Sequence, residues 1–247
     1  MHREPLRDDV YWNEWIPYTK EKIGKKAEKL NTNPFPENWK KDSISQGLYY
    51  DYIALIRHQY SGGAPIDEIS NGYAALIEAW AAYNQNIATG DDKRHLLLAH
   101  DYYRVLTLIS WGIIFDAPAA LIQKIADHMH GDGEDALIET LLAAMLKDRT
   151  TTGKLIYPNS FELLYKATQA NGAEQAELVK EYLGKWYPNM KDFINYDVHK
   201  AKGEGAFDGY WSFESAAIVV LCGIDDSSFR DMDFYPRDMV DFARTLG

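Results

Sequence analysis

The segment Asp127-His128-Met129-His130-Gly131-Asp132 carries the residue types of a metal site. Imidazole and carboxylate groups are common ligands of divalent metals. On a helix, however, residues i and i+2 point about 200° apart, so His128 and His130 do not readily chelate one ion together. Histidines in a last helical turn also complement the helix dipole. We therefore expect no metal and no cofactor. A metal-dependent helical enzyme that uses the His128/His130 region is kept as the alternative function.

Nucleophilic chemistry has no visible motif in this chain. The sequence contains no GxSxG elbow, P-loop or dinucleotide-binding fingerprint. The single cysteine, Cys222, lies within the apolar run from Ala216 to Ile224. Burial in such a run raises the pKa of a thiol and suppresses its reactivity. The sequence therefore predicts no catalytic residue and a protein that is not an enzyme.

Glu214 is surrounded in sequence by the apolar residues Trp211, Phe213, Ala216 and Val220. A glutamate near a helix N-terminus is stabilised by the helix dipole. If it is buried, it needs hydrogen bonds or an arginine partner. Because no second carboxylate falls in helical register with it, we interpret Glu214 as a structural polar anchor rather than an acid/base catalyst.

The elements that position these residues are predicted to be helices. Apolar residues recur with a spacing of about 3.6 residues, and turns rich in glycine, proline and asparagine separate the periodic segments. No alternating strand pattern is visible. The sequence predicts an all-α bundle of about nine to ten helices, in two halves packed as one body. The boundary is placed at the glycines around Asp132, which gives regions 1–131 and 132–247.

Individual helices are predicted from periodicity and capping patterns. Asn159 with Glu162 has the spacing of a capping box, and Asp132 and Asp135 are predicted to cap a further helix. The first helix is predicted to carry Tyr11, Trp12, Trp15 and Tyr18 on or near one face. The predicted helices include 8–30, 95–115, 174–186, 211–222 and 236–246.

The charge of the chain excludes some partners. With 26 Lys and Arg against 37 Asp and Glu, the formal charge is −11, which argues against nucleic acid as a direct ligand.

The apolar run at 216–224 is too short to span a membrane, and the charged N-terminus lacks the apolar core of a signal peptide. A single cysteine fits a reducing compartment. We expect a cytoplasmic protein whose partner is a protein with a basic surface.

Acidic residues cluster at two places. Four of them fall within nine residues of the segment between the last two predicted helices, and three more follow Gly131; they are Asp225, Asp226, Asp231 and Asp233, and Asp132, Glu134 and Asp135. A solvated loop with capping roles is one interpretation of the first cluster. An anionic patch that meets lysines or arginines of a partner is the other. The sequence leaves both open.

Residues 209–244, GYWSFESAAIVVLCGIDDSSFRDMDFYPRDMVDFAR, form the most distinctive segment. An aromatic helix start leads through an apolar run and an acidic loop into a short closing helix. This pattern closely resembles the C-terminal signature of the PoNi family, immunity proteins that bind and neutralise polymorphic nuclease effectors injected between competing bacteria. Residues 49–60 and 73–80 look like the family's N-terminal half. We interpret these members of the motif as structural: Tyr210, Trp211, Phe213, Glu214, Tyr235 and Pro236.

The resemblance implies an α-helical protein with N- and C-terminal PoNi regions. It also implies that the protein is made beside a cognate toxin in the cytoplasm of the producing cell, in the setting of type VI secretion. Protection would come from tight binding that occludes the active site or the DNA groove of the nuclease. Partner contacts vary within such families, so the resemblance itself assigns no contact residue. The acidic residues named above remain the candidate partner-binding residues.

Overall fold

The computed structural model describes residues 2–32, 38–87, 98–129, 131, 133–150, 153–200 and 207–247. Every regular element in these ranges is helical. The α-helices are α1 (Asp9–Thr32), α2 (Asn38–Ser61), α3 (Ile66–Ser70), α4 (Tyr73–Ile87), α5 (Ala99–Ile114), α6 (Ala119–His128), α7 (Ala136–Ala143), α8 (Pro158–Gln169), α9 (Ala173–Asn189), α10 (Phe213–Cys222) and α11 (Arg237–Leu246). A 3-10 turn covers Val198–Lys200. With the short α3 joined to α4, the described chain has ten helices, so the predicted all-α class and helix number are confirmed.

The chain forms two compact units. The first comprises Met1–Asp92 and Asp197–Tyr210, and the second comprises Lys93–Tyr196 and Trp211–Gly247. They are not consecutive halves of the sequence, because the segment Asp197–Tyr210 returns to the first unit. The boundary predicted between residues 131 and 132 stays a prediction. No helix in the described ranges is long and apolar enough to cross a membrane.

In the first unit, α2 packs against both α1 and α4. Large aromatic side chains fill the space between these helices, among them Trp12, Tyr49, Tyr60 and Trp80, each at most 2% exposed. Asp8 begins α1 by accepting a hydrogen bond from the backbone N–H of Tyr11 at 3.0 Å, as expected of an aspartate at an N-cap.

The returning segment of the first unit is fastened by polar contacts. Asp208 forms an ion pair with Arg57 at 3.1 Å, and its carbonyl accepts a hydrogen bond from the Ser61 hydroxyl at 2.8 Å. The backbone N–H of Tyr210 donates to Glu4 at 3.1 Å. Burial raises the pKa of Glu4, although this hydrogen bond opposes the shift. These contacts connect residues that lie far apart in the sequence.

In the second unit, α5 is the central helix. Every residue from Tyr102 to Ile114 except Arg104 is buried, and a helix that is buried on nearly all sides belongs to the core. It packs against α6, α7, α10 and α11, while α8 packs against α9 and α10. The two helices of the C-terminal motif, α10 and α11, therefore both pack against the central helix.

Candidate interaction surface

Glu214, in the first turn of α10, is fully buried and accepts hydrogen bonds from four side chains. Oε1 accepts from the Ser212 hydroxyl at 2.7 Å, the Tyr182 hydroxyl at 2.7 Å and the Trp186 indole at 2.6 Å. Oε2 accepts from the Tyr103 hydroxyl at 3.1 Å. Burial, and then the charge of Glu214, raise the pKa of Tyr182 well above its ordinary value. The carboxylate therefore joins α5, α9 and α10, which is the geometry of a polar anchor.

The other members of the C-terminal motif are also buried: Tyr210, Trp211, Phe213, Tyr235 and Pro236. Phe213 packs edge-on against Trp111, with ring centres 5.2 Å apart. The Trp211 carbonyl accepts a hydrogen bond from Tyr103 at 3.2 Å, and Pro236 directly precedes α11. These residues are used inside the fold, so they offer no surface to a partner.

Asp226 is the internal anchor of the acidic loop, defined here as residues 224–236. It is 4% exposed and accepts hydrogen bonds from Tyr235 at 3.0 Å, Arg230 at 3.1 Å and Arg244 at 2.9 Å. Burial by itself would raise the pKa of Asp226, but the hydrogen bonds from Arg244 and Tyr235 and the charges of both arginines lower it below its ordinary value. Burial and the charge of Asp226 raise the pKa of Tyr235.

The remaining aspartates of the acidic loop lie at the surface. Asp225, Asp231 and Asp233 are all exposed. Asp225 accepts a hydrogen bond from the backbone N–H of Ser227 at 3.0 Å, which lowers the pKa of its carboxyl. Asp231 forms an ion pair with Arg237 and keeps 86% of its side chain exposed. Three of the four predicted contact residues of the loop are therefore exposed. The fourth, Asp226, is buried and fixes the loop in place.

The two described members of the second predicted acidic cluster differ in exposure. Asp132 lies outside the described residues, and Glu134 is exposed. Asp135 is fully buried at the N-cap of α7. Its carboxylate accepts hydrogen bonds from the backbone N–H groups of Leu137 and Ile138 at 3.0 Å each, from that of Ile156 at 2.8 Å and from the Tyr102 hydroxyl at 3.1 Å. The burial of Asp135 and Asp226 argues against direct partner contact by either.

The residues considered for chemistry do not assemble a site in the described part of the chain. His128 is the last residue of α6 and is half-buried, and His130 lies outside the described residues. Among the described residues, no group of three or more His, Cys, Asp or Glu side chains could hold a metal ion. Burial raises the pKa of the Cys222 thiol, which lowers its reactivity.

Sequence reasoning missed a surface on α1. Of the four aromatic residues predicted on or near one face, Trp12 is buried, while Tyr11 and Trp15 are half-buried and Tyr18 is 47% exposed. The signal that could have found this surface is the spacing of Val10, Glu14 and Tyr18, which places one charged and two apolar residues on a single outward stripe.

Two family models match the chain. Residues 3–127 match the model described as "PoNe immunity protein (PoNi), N-terminal", and residues 133–239 match the model described as "PoNe immunity proteins (PoNi), C-terminal". The structure is also similar to the crystal structure of protein PA2201 from Pseudomonas aeruginosa, with a TM-score of 0.76, 19% sequence identity, and coverage of 100% of this chain and 93% of that chain. At this identity the likeness shows a shared fold. No match is found among the curated proteins.

Proposed function

Because the chain belongs to the PoNi family of PoNe immunity proteins, we propose that it binds a cognate nuclease effector and neutralises it. The observation that carries this proposal is the match of both the N-terminal and the C-terminal family models, which together cover most of the sequence. A nuclease immunity protein acts as an inhibitor and needs no catalytic residue of its own.

Electrostatic complementarity supports this function. A nuclease must attract the phosphates of its substrate, so its DNA groove carries lysine and arginine. This protein has a formal charge of −11, and Asp225, Asp231 and Asp233 are exposed on one short loop. Opposite charges accelerate encounter and fix the orientation of the partners. We propose that the acidic loop faces the basic groove of the effector and competes with DNA for it.

The way the acidic loop is held suits this role. Asp226 connects the loop to α11 through Arg244 and to the turn that follows it through Arg230. A loop fixed in this way loses little conformational freedom on binding, which favours affinity. Glu134 is a further proposed contact in the same compact unit.

The cellular setting is part of the proposal. We infer that the protein acts in the cytoplasm of the producing cell, where a nuclease delivered by sibling cells through type VI secretion would reach its DNA. Occlusion of the active site or the DNA groove is the proposed mode of inhibition. Neither nucleic acid nor a membrane is a proposed partner.

Co-expression tests this function directly. The nuclease domain encoded by the neighbouring gene is expressed in a bacterial host with and without this protein, and survival is scored. We expect the nuclease alone to kill the host and the pair to survive. A catalytically inactive nuclease domain serves as the binding partner for co-purification. Killing that is unaffected by this protein, together with no co-purification, would contradict the proposal.

A further inference from the structure

The N-terminal half of α1 exposes apolar side chains that the core of the first unit does not use. Val10 is 71% exposed, Tyr18 is 47% exposed, and Leu6, just before the helix, is 43% exposed. Next to them, the rings of Tyr11, Trp15 and Tyr18 form an aromatic ladder along the helix. Ring centres are 6.0 Å apart for Tyr11 and Trp15, and 5.1 Å apart for Trp15 and Tyr18.

The cations beside the aromatic ladder are already engaged within the protein. The guanidinium of Arg7 lies 5.4 Å from the ring centre of Tyr11 and donates hydrogen bonds to the carbonyls of Leu6 at 2.9 Å and His199 at 3.0 Å. At the other end, Lys22 forms an ion pair with Asp51 at 2.7 Å. These contacts hold both cations against the fold.

A cavity of about 350 Å³ opens at the start of the ladder. Its walls are mainly apolar, formed by Leu6, Val10, Tyr11 and Trp15, and its rim carries the exposed carboxylates of Asp8 and Glu14. Arg7 also lines the cavity, but its guanidinium is held by the backbone carbonyls named above, and the two carboxylates leave the lining with a net negative charge. Apolar walls suit an alkyl chain, aromatic rings attract a cation, and a carboxylate pairs with it. The cavity thus has the chemistry of a receptor for a lysine or arginine side chain.

We propose that this cavity is an anchor pocket that receives a lysine or arginine side chain of the nuclease effector. The inference rests on the proposed function, since it assigns a contact to that same partner. Interface residues that carry most of the binding energy are enriched in Trp, Tyr and Arg and sit in recessed pockets. The ladder supplies the tyrosine and tryptophan side chains. Asp8 and Glu14 supply the charge opposite to that of a basic partner, and the partner supplies the inserted cation.

The pocket is separate in sequence from the acidic loop. The ladder belongs to the first compact unit and the acidic loop to the second. Each can therefore be altered alone, and each makes its own contribution to binding. The pocket acts through a recessed side chain and its desolvation, whereas the loop acts through exposed charge.

Two substitutions test the pocket. Val10→Arg fills the cavity with a cation from the protein itself, and Glu14→Lys reverses the charge at its rim. The control is Glu28→Lys, which makes the same charge change at another exposed glutamate, about 21 Å further along the same helix. All three sites are exposed, so the thermal unfolding midpoint should stay near that of the wild type.

Binding is measured by interferometry against the catalytically inactive nuclease domain encoded by the neighbouring gene. We expect Val10→Arg and Glu14→Lys each to raise Kd by at least about 30-fold, as for residues that dominate an interface. Glu28→Lys should change Kd by no more than about fivefold, as for an exposed charge outside the contact.

The possible outcomes distinguish a failure of the pocket proposal from a failure of the proposed immunity function. If folded Val10→Arg and Glu14→Lys proteins bind as tightly as the wild type, the anchor pocket is refuted while the immunity function stands. The pocket is equally refuted if Glu28→Lys weakens binding as much as these two substitutions do. If the wild type itself neither binds nor protects, both proposals fall together.

Discussion

Trp186 of α9 donates its indole N–H to Glu214 of α10 at 2.6 Å. This bond places a carboxylate from the C-terminal motif at the meeting point of helices that are remote in sequence. Three hydroxyl groups complete its surroundings, those of Ser212, Tyr182 and Tyr103. A buried charge with this number of donors is stable in place, but removal of the charge leaves the donors without an acceptor.

Substitution of Glu214 should destabilise the second unit strongly. We expect Glu214→Ala to lower the free energy of unfolding by about 3–5 kcal/mol, because four buried donors lose their acceptor and a cavity opens. Urea unfolding followed by circular dichroism measures the effect. Glu162→Ala, at a side chain that is 55% exposed on α8, is the matched control and should cost less than about 0.5 kcal/mol. Similar midpoints for the two variants would contradict the anchor role.

The lowered pKa of Asp226 predicts that the stability of the folded protein depends on pH. Because its pKa is lower in the folded protein than its ordinary value, the unfolded state takes up the proton first. The stabilisation is therefore complete above the ordinary pKa of about 4 and is lost as the pH falls through the folded value. We expect Asp226→Asn to cost about 1–2 kcal/mol at pH 7, with a smaller difference from the wild type at pH 3. Urea midpoints at both pH values measure this. An equal difference at both would contradict it.

The exposed aspartates of the acidic loop should control the association rate. We expect the triple substitution of Asp225, Asp231 and Asp233 by lysine to slow association with the nuclease domain by at least about tenfold at low salt, and by less at high salt, because screening weakens steering. The control triple reverses the exposed residues Glu174, Glu177 and Asp192, with the same change in net charge. Stopped-flow association rates measure both. Equal rates for the two triples would remove the loop from the interface.

The alternative function, a metal-dependent enzyme, predicts the opposite response to metal removal from that of an inhibitor without a metal. If the protein is an inhibitor without a metal, EDTA leaves its thermal unfolding midpoint unchanged, and a variant with both His128→Ala and His130→Ala still protects cells. Elemental analysis of purified protein complements the two measurements. A midpoint that falls with EDTA and recovers with zinc would indicate a structural or catalytic ion, since bound metal stabilises the folded state.

Helical periodicity predicts the elements better than their ends. The helix predicted at 95–115 is α5, and that predicted at 174–186 lies within α9. The helix predicted to begin at Trp211 is α10, which begins at Phe213 instead. At this helix start the backbone N–H of Ser212 donates to the Phe234 carbonyl at 2.8 Å, a tertiary partner for one of the N–H groups that a helix N-terminus leaves without an intrahelical acceptor. The capping box expected at Asn159 is displaced because α8 begins at Pro158, where proline is preferred.

Contacts between remote residues account for what the sequence left open in the acidic loop. The composition of the loop does not separate Asp226 from Asp231, because Arg244, which fixes Asp226, lies eighteen positions away. Phe234 adopts φ of 67°, which is unusual for a bulky residue. Its ring packs against Trp186 and Tyr187, with centres 5.0 Å and 5.4 Å away. Neither relationship has a local sequence signal.

Titration of nuclease activity tests the central claim most directly. Purified protein is added in increasing amounts to a fixed amount of the nuclease domain, and DNA cleavage is followed after short and long preincubation. Inhibition by binding predicts that cleavage falls in proportion to the added protein, ends at a fixed molar ratio, and does not depend on preincubation time. Progressive inactivation by substoichiometric protein, or undiminished cleavage at molar excess, would contradict the account.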